Sequence, residues 1–312
     1  MRARTPITVT GLLAAGLALG QGLAPSGVGQ IAPPAILPVS VPYRLSDGLI
    51  VVKAGISRER PVEAVLALAA PLCVAAPDLA VQEQMKTQAF IQLPTLYGVV
   101  QASAVNPQSL AIGPHRLANV PFAVFDMHGH LSKRPSGGQP PLWIGASALA
   151  ATSVTIDPER SVVVFRAASD GLPRGGWIVP IEVQDGRIFV EARANGGRPF
   201  RALLDTACSG SLLPAPVAHS LALAPEGTAK VLLPDGNEGT VSAATVRELA
   251  FGGAKTKDVR VLFVSQGAGL EHAVIGTDAL LRFRVTISYA ARRIALERIK
   301  PPSRGPARPS VG

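Results

Sequence analysis

The feature that most constrains the fold of this chain is an internal duplication. Residues 47–80 align without a gap onto residues 185–218, which lie 138 positions further on. The identical aligned pairs include Asp47/Asp185, Gly48/Gly186, Ile50/Ile188, Val52/Val190, Arg60/Arg198, Pro61/Pro199, Ala64/Ala202 and Leu66/Leu204. Self-similarity at a fixed offset indicates a repeated structural unit. The chain is therefore predicted to fold as two copies of one domain.

Further matching blocks follow in the same order in both copies. They are residues 110–113 with 249–252, 144–149 with 275–280, and 154–156 with 285–287. The copies are therefore predicted to span residues 41–166 and 175–299, with a Gly- and Pro-containing link over 169–176. A chain of 312 residues is long enough for two units of roughly 120 residues, each with its own core.

The residue pattern within each copy is typical of β-strands. Short apolar runs, such as 188–190, are separated by turn residues. The dipeptides Asn195-Gly196 and Asp235-Gly236 are typical of hairpin turns. One short helix is expected directly after Gly145 and another after Gly276. The sequence therefore predicts an all-β protein of two closed or sandwiched lobes.

The first residues have the layout of an export signal. Arg2 and Arg4 precede an uncharged, largely apolar run from Ile7, and small residues near Gly20 suit cleavage. This predicts a signal peptide over residues 1–20 and a periplasmic or secreted protein. The alternative is that the stretch stays in place as a membrane anchor. After removal of the signal no stable membrane insertion is expected, because no other apolar run is long enough.

The net charge of +9 does not by itself predict a nucleic-acid partner. Lys and Arg are spread along the chain with few aromatic residues between them, so no nucleic-acid binding is expected. Part of the positive charge lies in 292–308 together with Pro and Gly, which indicates a disordered tail over 300–312.

The segment that carries chemistry is 200–213, in which an apolar strand leads directly into Asp205, Thr206, Ala207, Cys208 and Ser209. Leu-Leu-Asp-Thr-Ala-Cys-Ser resembles the Asp-Thr-Gly-Ala-Ser signature of retropepsin-like aspartic peptidases. The later run 273–280, apolar residues followed by Gly276 and a predicted helix, resembles the second signature of that family. Asp205 and Gly276 are 71 residues apart, which fits one lobe.

The resemblance implies two tandem retropepsin-like closed β lobes, a pepsin-like bilobal pseudo-dimer that acts on a peptide or protein and needs no cofactor. Asp205 would be the catalytic residue, and the Thr206 hydroxyl would tie the two active-site loops together. Ala207 replaces a glycine of the signature. Ser209 either binds the carboxylate or caps the local turn. The alternative for Asp205 is a structural, hydrogen-bonded carboxylate at a strand end.

The first copy departs from the family pattern at its centre. The gapless alignment places Ala67 opposite Asp205 and Leu68 opposite Thr206. Aspartic peptidases share one proton between two carboxylates, one ionised and one protonated. A single carboxylate cannot hold both states, so the first lobe is predicted to be degenerate.

Other candidate residues leave alternatives open. Two ribbons match the flaps of the family, 93–105 with Tyr97 and 232–241 with Asp235 and Gly236, although an ordinary strand residue is the favoured interpretation of Tyr97. His128-Gly129-His130 could chelate a metal, but a solvated loop is favoured and no metal is expected.

The two cysteines leave the question of a disulfide open. Cys73 and Cys208 lie in or just after the aligned loops, and an oxidising compartment would permit a bond between them. The alignment nevertheless offsets them, so their separation is not determined by the sequence.

Two hypotheses for function follow. The first is an aspartic endopeptidase-like protein in which Asp205 activates water. The second is a catalytically impaired pseudopeptidase that binds peptide or protein segments. The oligomeric state stays open.

Overall fold

A computed structural model describes residues 29–31, 37–57, 60–95, 98–126, 140–232, 238–264 and 272–299. The first copy contains β1 Gln30–Ile31, β2 Val39–Ser46, β3 Leu49–Ile56, β4 Val62–Leu66, β5 Cys73–Ala75, α1 Pro77–Gln82, β6 Thr87–Thr95, β7 Gly98–Ile112, β8 His115–Val124, β9 Leu142–Ile144, α2 Ala146–Leu149, β10 Thr152–Asp157 and β11 Val162–Ala167. The second contains β12 Trp177–Pro180, β13 Glu182–Gln184, β14 Arg187–Ala194, β15 Phe200–Leu204, β16 Ser211–Pro214, α3 Ala215–Ser220, β17 Gly227–Leu232, β18 Glu238–Phe251, β19 Ala254–Val264, β20 Ala273–Ile275, α4 Thr277–Leu280, β21 Phe283–Ser288 and β22 Arg293–Arg298.

The predicted fold class is confirmed. The protein is all-β, with two closed barrels of six strands in a bilobal, pepsin-like arrangement. The short helices α2 and α4 begin directly after Gly145 and Gly276, as predicted. Among the described residues, no helix is long and apolar enough to cross a bilayer. Residues 1–20 and 300–312 lie outside the described residues, so the signal peptide and the tail stay predictions.

The two lobes repeat the same strand pairing around their loops. In the first lobe β4 runs parallel to β9, and Leu66 pairs with Ile144. In the second lobe β15 runs parallel to β20, and Leu204 pairs with Ile275. In each lobe the strand after the loop also lies in a parallel pair. This pair is β5 with β8 in the first lobe and β16 with β19 in the second. The loops that follow Leu66 and Leu204 therefore start from equivalent positions.

The lobes are joined by a six-stranded stretch of sheet, in the order β12-β22-β21-β10-β11-β2, which the sequence did not predict. At its centre β10 pairs antiparallel with β21, and Thr155 lies opposite Thr286, its own counterpart in the repeat. Their hydroxyl oxygens are 2.9 Å apart. Val154 and Ile156 lie opposite Ile287 and Val285, so the register itself is nearly symmetric. An approximate twofold axis therefore passes between the two threonines.

Each lobe sends one hairpin turn against the active-site loop of the other. The turns are Asp47-Gly48 and Asp185-Gly186, and all four residues have positive φ angles, from 50° to 80°. An Asp-Gly pair suits such a turn because glycine adopts positive φ without strain. A Cβ atom added at Gly48 would lie 2.8 Å from Cβ of Ser209, and one at Gly186 would lie 3.4 Å from Cα of Pro71. The close approach of the lobes therefore fixes the loops relative to each other.

Candidate active site

The loop of the second lobe is held by backbone hydrogen bonds to the strand beside it. Asp205 follows the last residue of β15, and its N–H donates to the carbonyl of Ile275 over 3.0 Å. The N–H of Thr277 donates to the carbonyl of Cys208 over 2.9 Å. Gly276 leaves room for this contact, because a Cβ atom there would lie 2.6 Å from the carbonyl oxygens of Cys208 and Gly210. The loop is thus packed directly onto the Gly276 turn.

A side-chain link, which sequence reasoning missed, strengthens this packing. Ser211 Oγ donates to Asp278 Oδ1 over 2.8 Å and accepts from the N–H of Gly276 over 3.2 Å. Burial raises the pKa of Asp278. Their counterparts in the first lobe, Cys73 and Ser147, keep a weaker version, in which the Cys73 N–H donates to Ser147 Oγ over 2.9 Å. The aligned pairs of polar residues would have been the signal for this link.

Asp205 is fully buried, with 0% of its surface exposed. Its Oδ1 accepts from the N–H of Ala207 over 2.8 Å. Its Oδ2 has no hydrogen-bond partner among the described residues. Burial raises the pKa of Asp205 to about 7, although the backbone N–H groups of Ala207 and Ala69 lower it part of the way back. At neutral pH this carboxyl is therefore divided between its protonated and ionised forms.

Thr206 joins the loop of the second lobe to that of the first. Its hydroxyl donates to the carbonyl of Leu66 over 2.5 Å and accepts from the N–H of Leu68 over 3.2 Å. Leu68 is the aligned counterpart of Thr206 and has no hydroxyl with which to return these bonds. The hydroxyl bridge between the loops therefore depends on one side chain from the second lobe.

The loop of the first lobe keeps the backbone frame of the second. The N–H of Ala67 donates to the carbonyl of Ile144 over 3.0 Å, as Asp205 does to Ile275. The N–H of Ala146 donates to the carbonyl of Ala70 over 2.8 Å, as Thr277 does to Cys208. A Cβ atom at Gly145 would lie 2.6 Å from the carbonyl oxygen of Ala70. The backbone frame is therefore kept, while the methyl group of Ala67 replaces the acid and the Leu68 side chain replaces the hydroxyl.

Apolar side chains surround both loops. At the seam between the lobes, one alanine from each lobe packs in the apolar cluster of the other. Ala207 packs in the cluster of the first lobe that contains Ala67, and Ala69 packs in the cluster of the second lobe that contains Cys208. Both flap hairpins contribute to these clusters: Ile91, Leu93, Ala102 and Ala104 from β6–β7, and Ala229 and Ala243 from β17–β18. The walls around Asp205 are therefore almost entirely uncharged.

The other residues that the sequence singled out lie in three parts of the chain. Ser209 lies against Gly48 of the other lobe. Both predicted flaps are hairpins, closed by the pairs Thr95–Gly98 and Leu232–Glu238. Tyr97, Asp235, Gly236 and His128-Gly129-His130 lie outside the described residues.

No disulfide joins the two cysteines, both of which lie within the described residues. Cys73 and Cys208 are both buried free thiols. Burial raises the pKa of Cys73 to about 11 and raises that of Cys208 well above its usual value. No group of three His, Cys, Asp or Glu side chains that could hold a metal ion occurs within the described ranges.

A comparison with protein families finds a match within the second lobe. A family model described as aspartyl protease matches residues 190–279, the span that contains Asp205, Thr206 and Gly276. The second lobe is therefore similar to the aspartyl protease family over these residues. The prediction made from the two signatures is thus confirmed. The match lies within the second lobe, and a search of the curated proteins finds no match to the chain.

Solved structures of aspartic peptidases resemble the chain in its fold. The aspartic proteinase from Irpex lacteus is 13% identical and aligns with a TM-score of 0.55 over 84% of this chain and 98% of its own. The retropepsin-like aspartic protease from Rickettsia conorii is 20% identical over 39% of this chain and 89% of its own, with a TM-score of 0.31. The first of these similarities shows that the bilobal fold extends over both halves of the chain.

Proposed function

We propose that the protein is a pseudopeptidase, which binds extended peptide segments at the seam of its lobes without cleaving them. The observation that carries this proposal is Ala67, which occupies the position of the second catalytic acid in an otherwise intact loop frame. Cleavage by this family needs one ionised and one protonated carboxyl at the same time. Asp205 alone supplies only one of the two at any moment.

The hairpins support a peptide as the ligand. Among the strands that the structure describes, β6 and β17 each lie at an edge of their sheets, paired only with β7 and β18 respectively. An edge strand has backbone groups that can pair with an extended peptide, as in β-augmentation. The apolar clusters beneath both hairpins favour small and apolar side chains in that peptide.

A second candidate function is slow peptide hydrolysis through Asp205. It is favoured by the complete loop of the second lobe, including the bridging Thr206, and by a pKa of Asp205 near neutrality. In that case Asp205 would act as the base for water, and a proton donor other than an aspartate at position 67 would be required.

Cleavage and binding of the same peptides distinguish the two functions. Quenched fluorogenic decapeptides with apolar centres are incubated across pH with the wild type and with Asp205→Asn, and binding is followed by fluorescence anisotropy. We expect neither protein to cleave, and both to bind at low pH. Cleavage by the wild type that disappears in Asp205→Asn would overturn the binding proposal in favour of hydrolysis.

We also propose that the protein works in the periplasm or outside the cell. The support is the charged start, apolar run and small residues of positions 1–20. N-terminal sequencing of the exported protein tests this proposal, and a mature protein that still begins at Met1 would contradict it.

A further inference from the structure

Two highly exposed apolar side chains lie in the first lobe, away from the active-site loops. Val81 on α1 is 78% exposed and Phe90 on β6 is 69% exposed, the highest values among the large apolar residues that the structure describes. Apolar residues scattered singly over a surface are ordinary, whereas contiguous apolar patches mark interaction sites. The question is therefore whether these two residues belong to one surface.

A groove of about 360 Å³ connects the two residues. Val81 lines its wall on the side of α1, and Ser103 and Val124 line its floor on β7 and β8. Phe90 pairs with Ser103, which in turn pairs with Val124, so these three side chains lie side by side on one face of the sheet. Phe90 is thus a projecting aromatic side chain at the border of the groove. No charged side chain lines the groove within the described part of the chain.

Strand β6 is also a sheet edge without the usual protection. Among the described strands it pairs only with β7, and residues 87–95 include no charged residue. The corresponding edge of the second lobe, β17, is six residues long instead of nine and carries the exposed Lys230. Short strands and lysines are two of the means by which native proteins keep a sheet edge from pairing with another chain. The second lobe has both of these features, and the first lobe has neither.

We propose that β6 pairs antiparallel with β6 of a second copy of this chain across a twofold axis, with Phe90 of each copy packed over the groove of the other. The two first lobes would then form one continuous sheet. This inference is independent of the proposed peptide-binding function. It restricts where a peptide could add, because the dimer covers the edge of β6 and leaves that of β17 open.

An identical strand suits this edge for three reasons. Two copies of one strand that lie antiparallel satisfy each other's free N–H and C=O groups with equivalent hydrogen bonds. A twofold contact is self-complementary, and here the projecting Phe90 and the groove beside it occur on the same surface, so one axis fills both grooves. The strand brings no like charges together along its length, although the chain as a whole has a net charge of +9.

The extent of the pairing follows from the strand itself. Pro94 has no N–H group to donate, so the pairing is expected to end before it and to cover residues 87–93. Ile91 and Leu93 point into the apolar cluster of their own lobe and stay there. Phe90, on the opposite face, is the side chain that contributes apolar area to the contact.

Sedimentation velocity of the purified protein tests this inference without any ligand. From about 1 to 100 µM we expect the wild type to pass from monomer to dimer. Phe90→Lys removes the central apolar side chain and puts a charge on the edge, so it should weaken the dimer by about 30-fold or more. Ile178→Lys is the matched control, because Ile178 is also an exposed apolar residue, on β12, and this change should leave dimerisation as it is.

Hydrogen exchange on the wild type locates the contact and does not depend on a variant. The amides of residues 87–93 should exchange more slowly at the high concentration than at the low one, while those of β17 should not change. Near-ultraviolet circular dichroism checks that both lysine variants are folded. A wild type that stays monomeric throughout the range would overturn the inference and leave the peptide-binding proposal standing. A dimer that withstands Phe90→Lys, or one without added protection in residues 87–93, would overturn it as well.

Discussion

The active-site loops of the two lobes have the same backbone and different chemistry. In both, the first loop residue donates to the strand beside it over 3.0 Å, and a glycine turn packs against the loop carbonyls. The second lobe adds an acid and a bridging hydroxyl, Asp205 and Thr206, where the first has Ala67 and Leu68. The acid is therefore not required for the shape of the loop.

The difference between the two loops indicates which features of a duplicated site are needed for folding and which are needed only for catalysis. Backbone hydrogen bonds and the space beside a glycine are needed for the lobe to pack, so both lobes keep them. A buried carboxyl costs stability unless it is neutral or paired. Its replacement by alanine in the first lobe removes that cost at the site where the two loops meet.

The largest expected effect comes from restoring the missing chemistry to the first lobe. The double variant Ala67→Asp, Leu68→Thr places a second carboxyl opposite Asp205 and gives the first loop a hydroxyl equivalent to that of Thr206. Two carboxyls that share one proton then provide acid and base together. We expect cleavage of apolar peptides to rise by about 10²- to 10⁴-fold over the wild-type background, with a maximum at acidic to neutral pH.

The control for this gain is the same double variant with Asp205→Asn, which should lose it completely. A folded double variant that cleaves no faster than the wild type would mean that the two loops do not bring their first residues close enough to share a proton. The equivalence of the loops would then be limited to their backbones.

The next largest effect is expected on stability, from changes to the glycine turns that pack against the active-site loop in both lobes. Gly145→Ala and Gly276→Ala each place a methyl group against loop carbonyls, although both glycines have ordinary φ angles of −100° and −88°. Because the clash is with backbone atoms, each variant should lower the free energy of unfolding by about 3 kcal/mol. Urea denaturation measures this change.

Gly171→Ala is the matched control, because nothing lies within 4 Å of a Cβ atom there. It should change stability by less than about 0.5 kcal/mol. If Gly145→Ala were as mild as this control while Gly276→Ala was severe, the first loop would have relaxed and the frame would no longer be shared.

The duplication made much of the fold predictable. Because aligned residues take equivalent places, the repeat, the Asn195-Gly196 turn and the helices after Gly145 and Gly276 followed from local pattern. The sheet between the lobes did not. The pairing of Thr155 with Thr286 joins residues that are 131 positions apart, and no local signal marks two strands that meet across an axis.

Predictability of the site had the same limits. The alignment alone placed Ala67 and Leu68 opposite the acid and its hydroxyl, because the frame is repeated. The link between Ser211 and Asp278 was not predicted, since the two residues are 67 positions apart and neither signature marks the other as its partner. Burial of Asp205 without a partner for Oδ2 also depends on how both lobes pack, which no single segment determines.

The smallest effect is expected from the bridge between the loops. Thr206→Val keeps the shape of the side chain but leaves the N–H of Leu68 and the carbonyl of Leu66 without their partner in a fully buried position. Unpaired buried backbone groups of this kind cost about 1–3 kcal/mol, so the free energy of unfolding should fall by about 2 kcal/mol. Thr206→Ser keeps the hydroxyl and should recover most of that loss. Equal losses in both variants, measured by urea denaturation, would mean that the methyl group contributes as much as the hydroxyl, which would contradict a bridge that depends on the hydroxyl.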